Sequence, residues 1–290
     1  MRRRYLQLDV FAERPGAGNP LAVVLDAAGL ETADMQALAA WLGLSETVFL
    51  LPADPGADYR VRIFTPRSEL PFAGHPSVGA AWAVARHRLA QPTRGELIQQ
   101  CAAGRLPARI AGDGDGDGAA MVAWVRSPRP RRCDLTPAPL PPGLAAVAAS
   151  PPQLWDNGPR WWLLEAASAG ALRALRPDFA ALAQWLDASG ATGLAVHAAE
   201  PKAAHALAVR AFCPGAAVGV PEDPVTGSAN AAIAARLHAE GRLPGGRAGY
   251  VASQGRELGR DGRVWLQVED AGDVWIGGAV QAVIAGTLDW

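Results

Sequence analysis

One five-residue segment occurs twice in altered form, and it constrains the fold more than any other feature. Arg62-Ile63-Phe64-Thr65-Pro66 returns as Arg210-Ala211-Phe212-Cys213-Pro214. Each copy ends an apolar, strand-like stretch and leads through a Gly- and Pro-containing loop into an Ala-rich segment of helical spacing. The first loop closes on Gly74-His75-Pro76 before 77–89, the second on Thr226-Gly227-Ser228 before 229–240. Aligning Gly74 with Gly227 sets His75 opposite Ser228. A repeat on this scale predicts two related units. The first turn of a helix carries unpaired N–H groups and a partial positive charge. Two such starts related by a pseudo-twofold axis would face each other across an interdomain cleft and suit a small carboxylate.

The 290 residues are half hydrophobic and carry a formal net charge of −1. That length fits two domains, each with its own core, expected at 1–127 and 128–290, with the last strand able to pack on the N-terminal one. The near-zero charge argues against nucleic-acid or anionic-membrane partners. Cys101, Cys133 and Cys213 lie far apart with no CxxC, which fits a reducing cytoplasm and disfavours a disulfide framework. The opening arginines are not followed by a signal-peptide core, because Gln7 and Asp9 interrupt the apolar residues. No apolar run is long enough to span a membrane. The expectation is a cytoplasmic protein.

Periodicity predicts strands at 5–11, 21–25, 46–51, 59–64, 97–101, 106–110, 121–125, 161–164, 193–197, 206–212, 250–253, 264–268, 274–276 and 279–284. It predicts helices at 32–43, 75–89, 171–186 and 228–240. Many strands with few helices exclude the strict alternation of a doubly wound sheet and indicate an α+β architecture. The Gly/Asp run 112–118 resembles the first half of an EF-hand loop, but its twelfth position is Trp124 where a bidentate Glu is required, so it reads as a hairpin loop.

Few constellations carry chemistry. Glu46 precedes the apolar strand Val48–Leu51, where desolvation would raise its pKa towards neutral and let it take and return a proton. His75 could bind substrate or hold a carboxylate. Asp223 could be a second polar anchor, although Asp before Pro is also an ordinary turn residue. There is no Walker A loop, G-x-G-x-x-G, G-x-S-x-G or H-E-x-x-H. The remaining histidines lack metal-ligand spacing.

Several blocks together resemble the PhzF-like family of phenazine biosynthesis. They are Asp9-Val10-Phe11, Gly18-Asn19-Pro20-Leu21-Ala22-Val23-Val24, Leu44-Ser45-Glu46-Thr47-Val48-Phe49, the 62–66 segment, Glu69-Leu70-Pro71-Phe72-Ala73-Gly74-His75-Pro76, and Glu222-Asp223-Pro224-Val225-Thr226-Gly227-Ser228-Ala229 with Asn230. The resemblance implies the diaminopimelate-epimerase-like fold: two pseudo-symmetric domains, each a curved mixed sheet around a central helix. It implies a homodimeric isomerase, independent of metal or organic cofactor, similar to trans-2,3-dihydro-3-hydroxyanthranilate isomerase. Glu46, His75 and Asp223 match its catalytic positions. Asn19, Gly74, Gly227, Ser228 and Ala229 are the matching substrate-binding positions. Related racemases place a cysteine at each helix start. Gly74-His75 and Gly227-Ser228 stand there instead, which disfavours two-thiol chemistry. A binding protein that has lost the chemistry, or an epimerase using Glu46 with a second base, remains open from the residues alone.

Overall fold

The computed structural model describes residues 1–112, 121–201, 203–246 and 249–290. Most of the Gly/Asp run therefore lies outside the described residues. The chain divides into two compact units, 1–126 with 276–290, and 127–275.

The first unit contains β1 (Arg2–Val10), β2 (Asn19–Val24), α1 (Thr32–Leu42), β3 (Thr47–Leu51), β4 (Tyr59–Phe64), β5 (Glu69–Leu70), α2 (Gly74–Arg86), β6 (Glu96–Cys101), β7 (Gly104–Ala111) and β8 (Val122–Arg126). Antiparallel β1–β2 is followed by parallel β2–β3, antiparallel β3–β4 and β4–β5, parallel β4–β6, and antiparallel β6–β7 and β7–β8. The chain's last strand pairs with both β8 and β1, Val10 opposite Val280. The strands thus close a ring and leave no exposed edge between β8 and β1. Inside lies α2, buried from Gly74 to Val84. Its Ala- and Gly-rich sequence permits this, since a Cβ on Gly79 would stand 2.4 Å from the Leu21 side chain. A helix apolar on all sides is stable only when enclosed on all sides.

The second unit contains β9 (Arg131–Cys133), α3 (Pro142–Ala145), β10 (Gln153–Asp156), β11 (Arg160–Glu165), α4 (Ala169–Ala174), α5 (Phe179–Ser189), β12 (Gly193–Ala199), β13 (Leu207–Cys213), β14 (Val220–Asp223), α6 (Gly227–Ala239), β15 (Tyr250–Gln254) and β16 (Gly262–Val268). From β10 to β16 it repeats the first unit's steps. Antiparallel β10–β11, parallel β11–β12, antiparallel β12–β13 and β13–β14, parallel β13–β15 and antiparallel β15–β16 succeed one another, with α6 standing where α2 stands. α6 is buried from Gly227 to Leu237.

The repeat extends to side chains. Arg62 forms a two-pronged pair with Glu69 and lies 5.1 Å from the Phe64 ring centroid. Arg210 does the same with Glu222 and lies 5.0 Å from Phe212. In each unit a glutamine on the strand after the helix bonds the helix's fourth residue: Gln99 to Ser77, and Gln254 to Asn230.

Three details differ from the periodicity. The helix expected at 171–186 is two, α4 and α5, because Pro177 removes an N–H and turns the preceding residue from helical geometry. Asp178 then caps α5 by accepting from Ala180 and Ala181 N–H. The strands expected at 274–276 and 279–284 are one strand, β17 (Val274–Asp289). Its Gly277 marks close packing rather than a break, since a Cβ there would stand 2.2 Å from the Trp124 ring. The short β5, β9, β10 and β14, and the one-turn α3, carry too few residues for a periodic signal.

Candidate active site

Glu46 owes its place to the end of α1. Gly43 takes the left-handed conformation (φ 67°) and its N–H bonds Ala39 O, stopping the helix so that 44–46 lead directly into β3. At the start of β3 the Glu46 side chain is 16% exposed and Oε2 is fully enclosed. Asn19, the first residue of the neighbouring β2, is 0% exposed. It is delivered by a turn in which Phe11 sits at φ 63° and Gly18 N–H donates to Asp9 Oδ2. A Cβ on Gly18 would meet Val10 O at 2.1 Å, so only glycine fits there. His75 occupies the first turn of α2 and is buried.

These three side chains meet. His75 Nε2 stands 3.4 Å from Glu46 Oε2, and Asn19 Nδ2 stands 3.4 Å from His75 Nδ1. Ser45 Oγ donates to Asn19 Oδ1 at 3.4 Å, which turns the amide's N–H towards His75. An amide N–H needs an acceptor, so Nδ1 accepts and the neutral imidazole carries its proton on Nε2, facing Glu46. Burial pushes the Glu46 carboxyl up to about 7. A carboxyl near neutrality can both accept and return a proton.

The second unit builds its own polar cluster at the start of α6. Thr226 precedes the helix in extended geometry, but its hydroxyl donates to Asp223 Oδ2 at 2.5 Å instead of capping the helix. Gln254, buried on β15, donates to Thr226 Oγ1 and Asp223 O and accepts from Thr226 N–H and Asn230 Nδ2. Trp161 Nε1 donates to Ser228 Oγ at 3.1 Å, which leaves the Ser228 hydroxyl proton to point elsewhere. Asn157 Nδ2 donates to Ser228 O. Neither α2 nor α6 has a side-chain cap, whereas α4 and α5 are capped by Ser168 and Asp178. The glycine-started helices therefore keep their first-turn donors clear of capping side chains.

Glu46, His75, Asn19 and Gly74 belong to the first unit; Asp223, Gly227, Ser228 and Ala229 belong to the second. Ser45, Asn157, Trp161 and Gln254 were not singled out from sequence. Only the Gln254-Gly255 step carries a local mark: Gly255 has φ 94°, and a Cβ there would meet Pro224 O at 2.6 Å. Among the described residues no cluster of three His, Cys, Asp or Glu side chains could hold a metal ion. No helix among them is long and apolar enough to cross a membrane.

Two units of one strand-and-helix topology, each with a polar cluster at an uncapped glycine start, define the class: isomerases and epimerases of the diaminopimelate-epimerase-like α+β fold. The family model described as phenazine biosynthesis-like protein matches residues 8–286, and the chain belongs to that family. It is 35% identical to trans-2,3-dihydro-3-hydroxyanthranilate isomerase of Pseudomonas aeruginosa, with 93% of this chain and 92% of that protein aligned. A solved predicted epimerase from Pseudomonas aeruginosa superposes with TM-score 0.77 at 33% identity, covering 99% of each chain. A probable proline racemase from Agrobacterium radiobacter shares the fold, with TM-score 0.71 at 14% identity over 99% of this chain and 93% of that one. The chain is an isomerase.

Proposed function

We propose that the chain moves a proton on a small carboxylate-bearing substrate, with Glu46 as acid and base and with no metal or organic cofactor. The observation that carries this reading is the enclosed Glu46 carboxyl held 3.4 Å from the Nε2 of a histidine whose other nitrogen is occupied by Asn19. In this reading ionised Glu46 removes a proton from an activated carbon of the substrate and becomes a carboxylic acid. It then returns that proton, or one exchanged with solvent, at another carbon. The His75 Nε2–H group steadies Glu46 while it is ionised. Asn19 holds His75 through Nδ1 and lies among the residues proposed to bind substrate. First-turn donors of the glycine-started helices, those at Gly74 or those at Gly227, the Ser228 hydroxyl and Ala229, are suited to hold a substrate carboxylate. Asp223 orients the substrate's polar substituents.

The relative's activity makes trans-2,3-dihydro-3-hydroxyanthranilate the first compound to assay. Glu46→Gln keeps the size of the side chain and removes the proton acceptor, with an expected rate loss of about 10²–10⁴-fold. Deuterium from solvent should enter product with the native enzyme and not with the variant. Wild-type turnover by Glu46→Gln would sink the reading. The likeness to a predicted epimerase favours a second reading, inversion of one carbon between Glu46 and a second base. Analysis of product stereochemistry separates the two.

A further inference from the structure

Gln254 lies on β15, outside every block through which the chain resembles its family, yet it makes four hydrogen bonds around Asp223. Their directions are not interchangeable. Asn230 Nδ2 bonds Thr226 O, which can only accept, and this fixes the Asn230 amide. Both the Asn230 N–H and the Thr226 backbone N–H then point at one atom, Gln254 Oε1, at 2.9 and 3.1 Å. Two donors on that oxygen fix the Gln254 amide in turn, so Nε2 must face the other way. There it meets Thr226 Oγ1 at 2.9 Å and Asp223 O at 3.0 Å. A hydroxyl that accepts from an amide still has one proton to place, and Thr226 Oγ1 places it on Asp223 Oδ2, 2.5 Å away. The chain of donors runs one way, and it ends on a carboxylate oxygen that can only accept. The segment is also pinned mechanically. Gly255 and Gly262, next to β15, leave no room for a Cβ against Pro224 O and Val225.

We propose that Gln254 is a positioning residue for the reaction. Acting through the Thr226 hydroxyl, it holds Asp223 in one rotamer with Oδ2 committed as an acceptor. This rests on the reading that Asp223 serves the isomerisation. It adds the group that orders Asp223 and the direction in which hydrogen bonds reach it. A residue needed only for folding would not transmit its effect through one hydroxyl, and that difference is measurable.

The test uses the full chain labelled with ¹³C-aspartate, with the Asp223 carboxyl signal assigned by its loss in Asp223→Asn. Gln254→Leu removes the amide; Thr226→Val removes the hydroxyl at equal size and keeps the chain folded if the first variant does not. Asp223 should titrate at higher pH in both variants and be restored towards the native value in Thr226→Ser. With trans-2,3-dihydro-3-hydroxyanthranilate as probe, each variant should lose kcat on the order of 10²-fold, with little change in KM. The double variant should be no worse than Thr226→Val alone, because the two residues act in series. An unmoved Asp223 titration in the folded variants, or losses that multiply in the double variant, would overturn the positioning role. Full activity in Glu46→Gln would overturn the proton-transfer reading alone, since the titration is recorded without substrate and still decides the part of Gln254.

Discussion

Arg210 is locked to Glu222 by two hydrogen bonds of 2.9 and 2.8 Å, with both side chains more than nine-tenths buried. The same guanidinium donates to the carbonyls of Leu172 and Leu175, the last turn of α4 and the residue after it, and covers the Phe212 ring. Its counterpart, Arg62 with Glu69, is nearer the surface, at 18% and 34% exposed. Removing one partner of a buried pair strands the other charge, while an exposed pair is screened by water. Arg210→Ala should therefore cost about 3–5 kcal/mol and Arg62→Ala about 1 kcal/mol, read from urea unfolding of each variant.

Burial of Glu46 makes stability depend on pH with a definite sign. Its carboxyl is raised from 4.5 to about 7 in the folded chain, so between these values the folded state binds more protons than the unfolded state. Stability is then lost as pH rises from about 4.5 to 7, by on the order of 3 kcal/mol. Glu46→Gln removes that titration. The variant should gain thermal stability relative to the native chain across this window, with a constant difference above it. Melting temperatures that stay parallel from pH 4.5 to 7.5 would show that the carboxyl is not desolvated.

Asn19→Asp reverses the polarity of the bond to His75. An aspartate oxygen facing Nδ1 calls for a proton on that nitrogen, which moves the neutral tautomer away from the Nε2–H form. Imidazole ¹⁵N shifts should report Nε2–H in the native chain and Nδ1–H or a doubly protonated ring in the variant. On the proposed mechanism turnover should slow, because the neighbour of Glu46 has changed charge or lost its donor.

Two glycines on β17 should respond oppositely to alanine. At Gly277 the new Cβ meets the Trp124 ring at 2.2 Å, whereas at Gly286 nothing lies within 4 Å. Gly277→Ala should cost about 1–3 kcal/mol by overpacking, while Gly286→Ala stays near neutral. Thermal melts of the two variants make the comparison within one strand.

What could be read from the residues alone was whatever has a local cause. Strands with alternating or continuous apolar runs, the helices at 32–43 and 75–89, and the repeated Arg-x-Phe segments follow from backbone propensity and side-chain period, which act over a few residues. The two glycine helix starts were legible because short motifs carry them, and the same motifs carry the proposed parts of Glu46, His75 and Asp223. Tertiary structure alone decided the rest. Ring closure needs the last strand to pair with Arg2–Val10, and no local pattern encodes a partner so far along the chain. The desolvation of Glu46 depends on the elements enclosing it. The order of hydrogen bonds from Asn230 through Gln254 to Asp223 depends on β15 lying beside the start of α6. Residue identity supplies the donors, acceptors and apolar faces, but burial and hydrogen-bond direction come into being only when distant segments exclude water together.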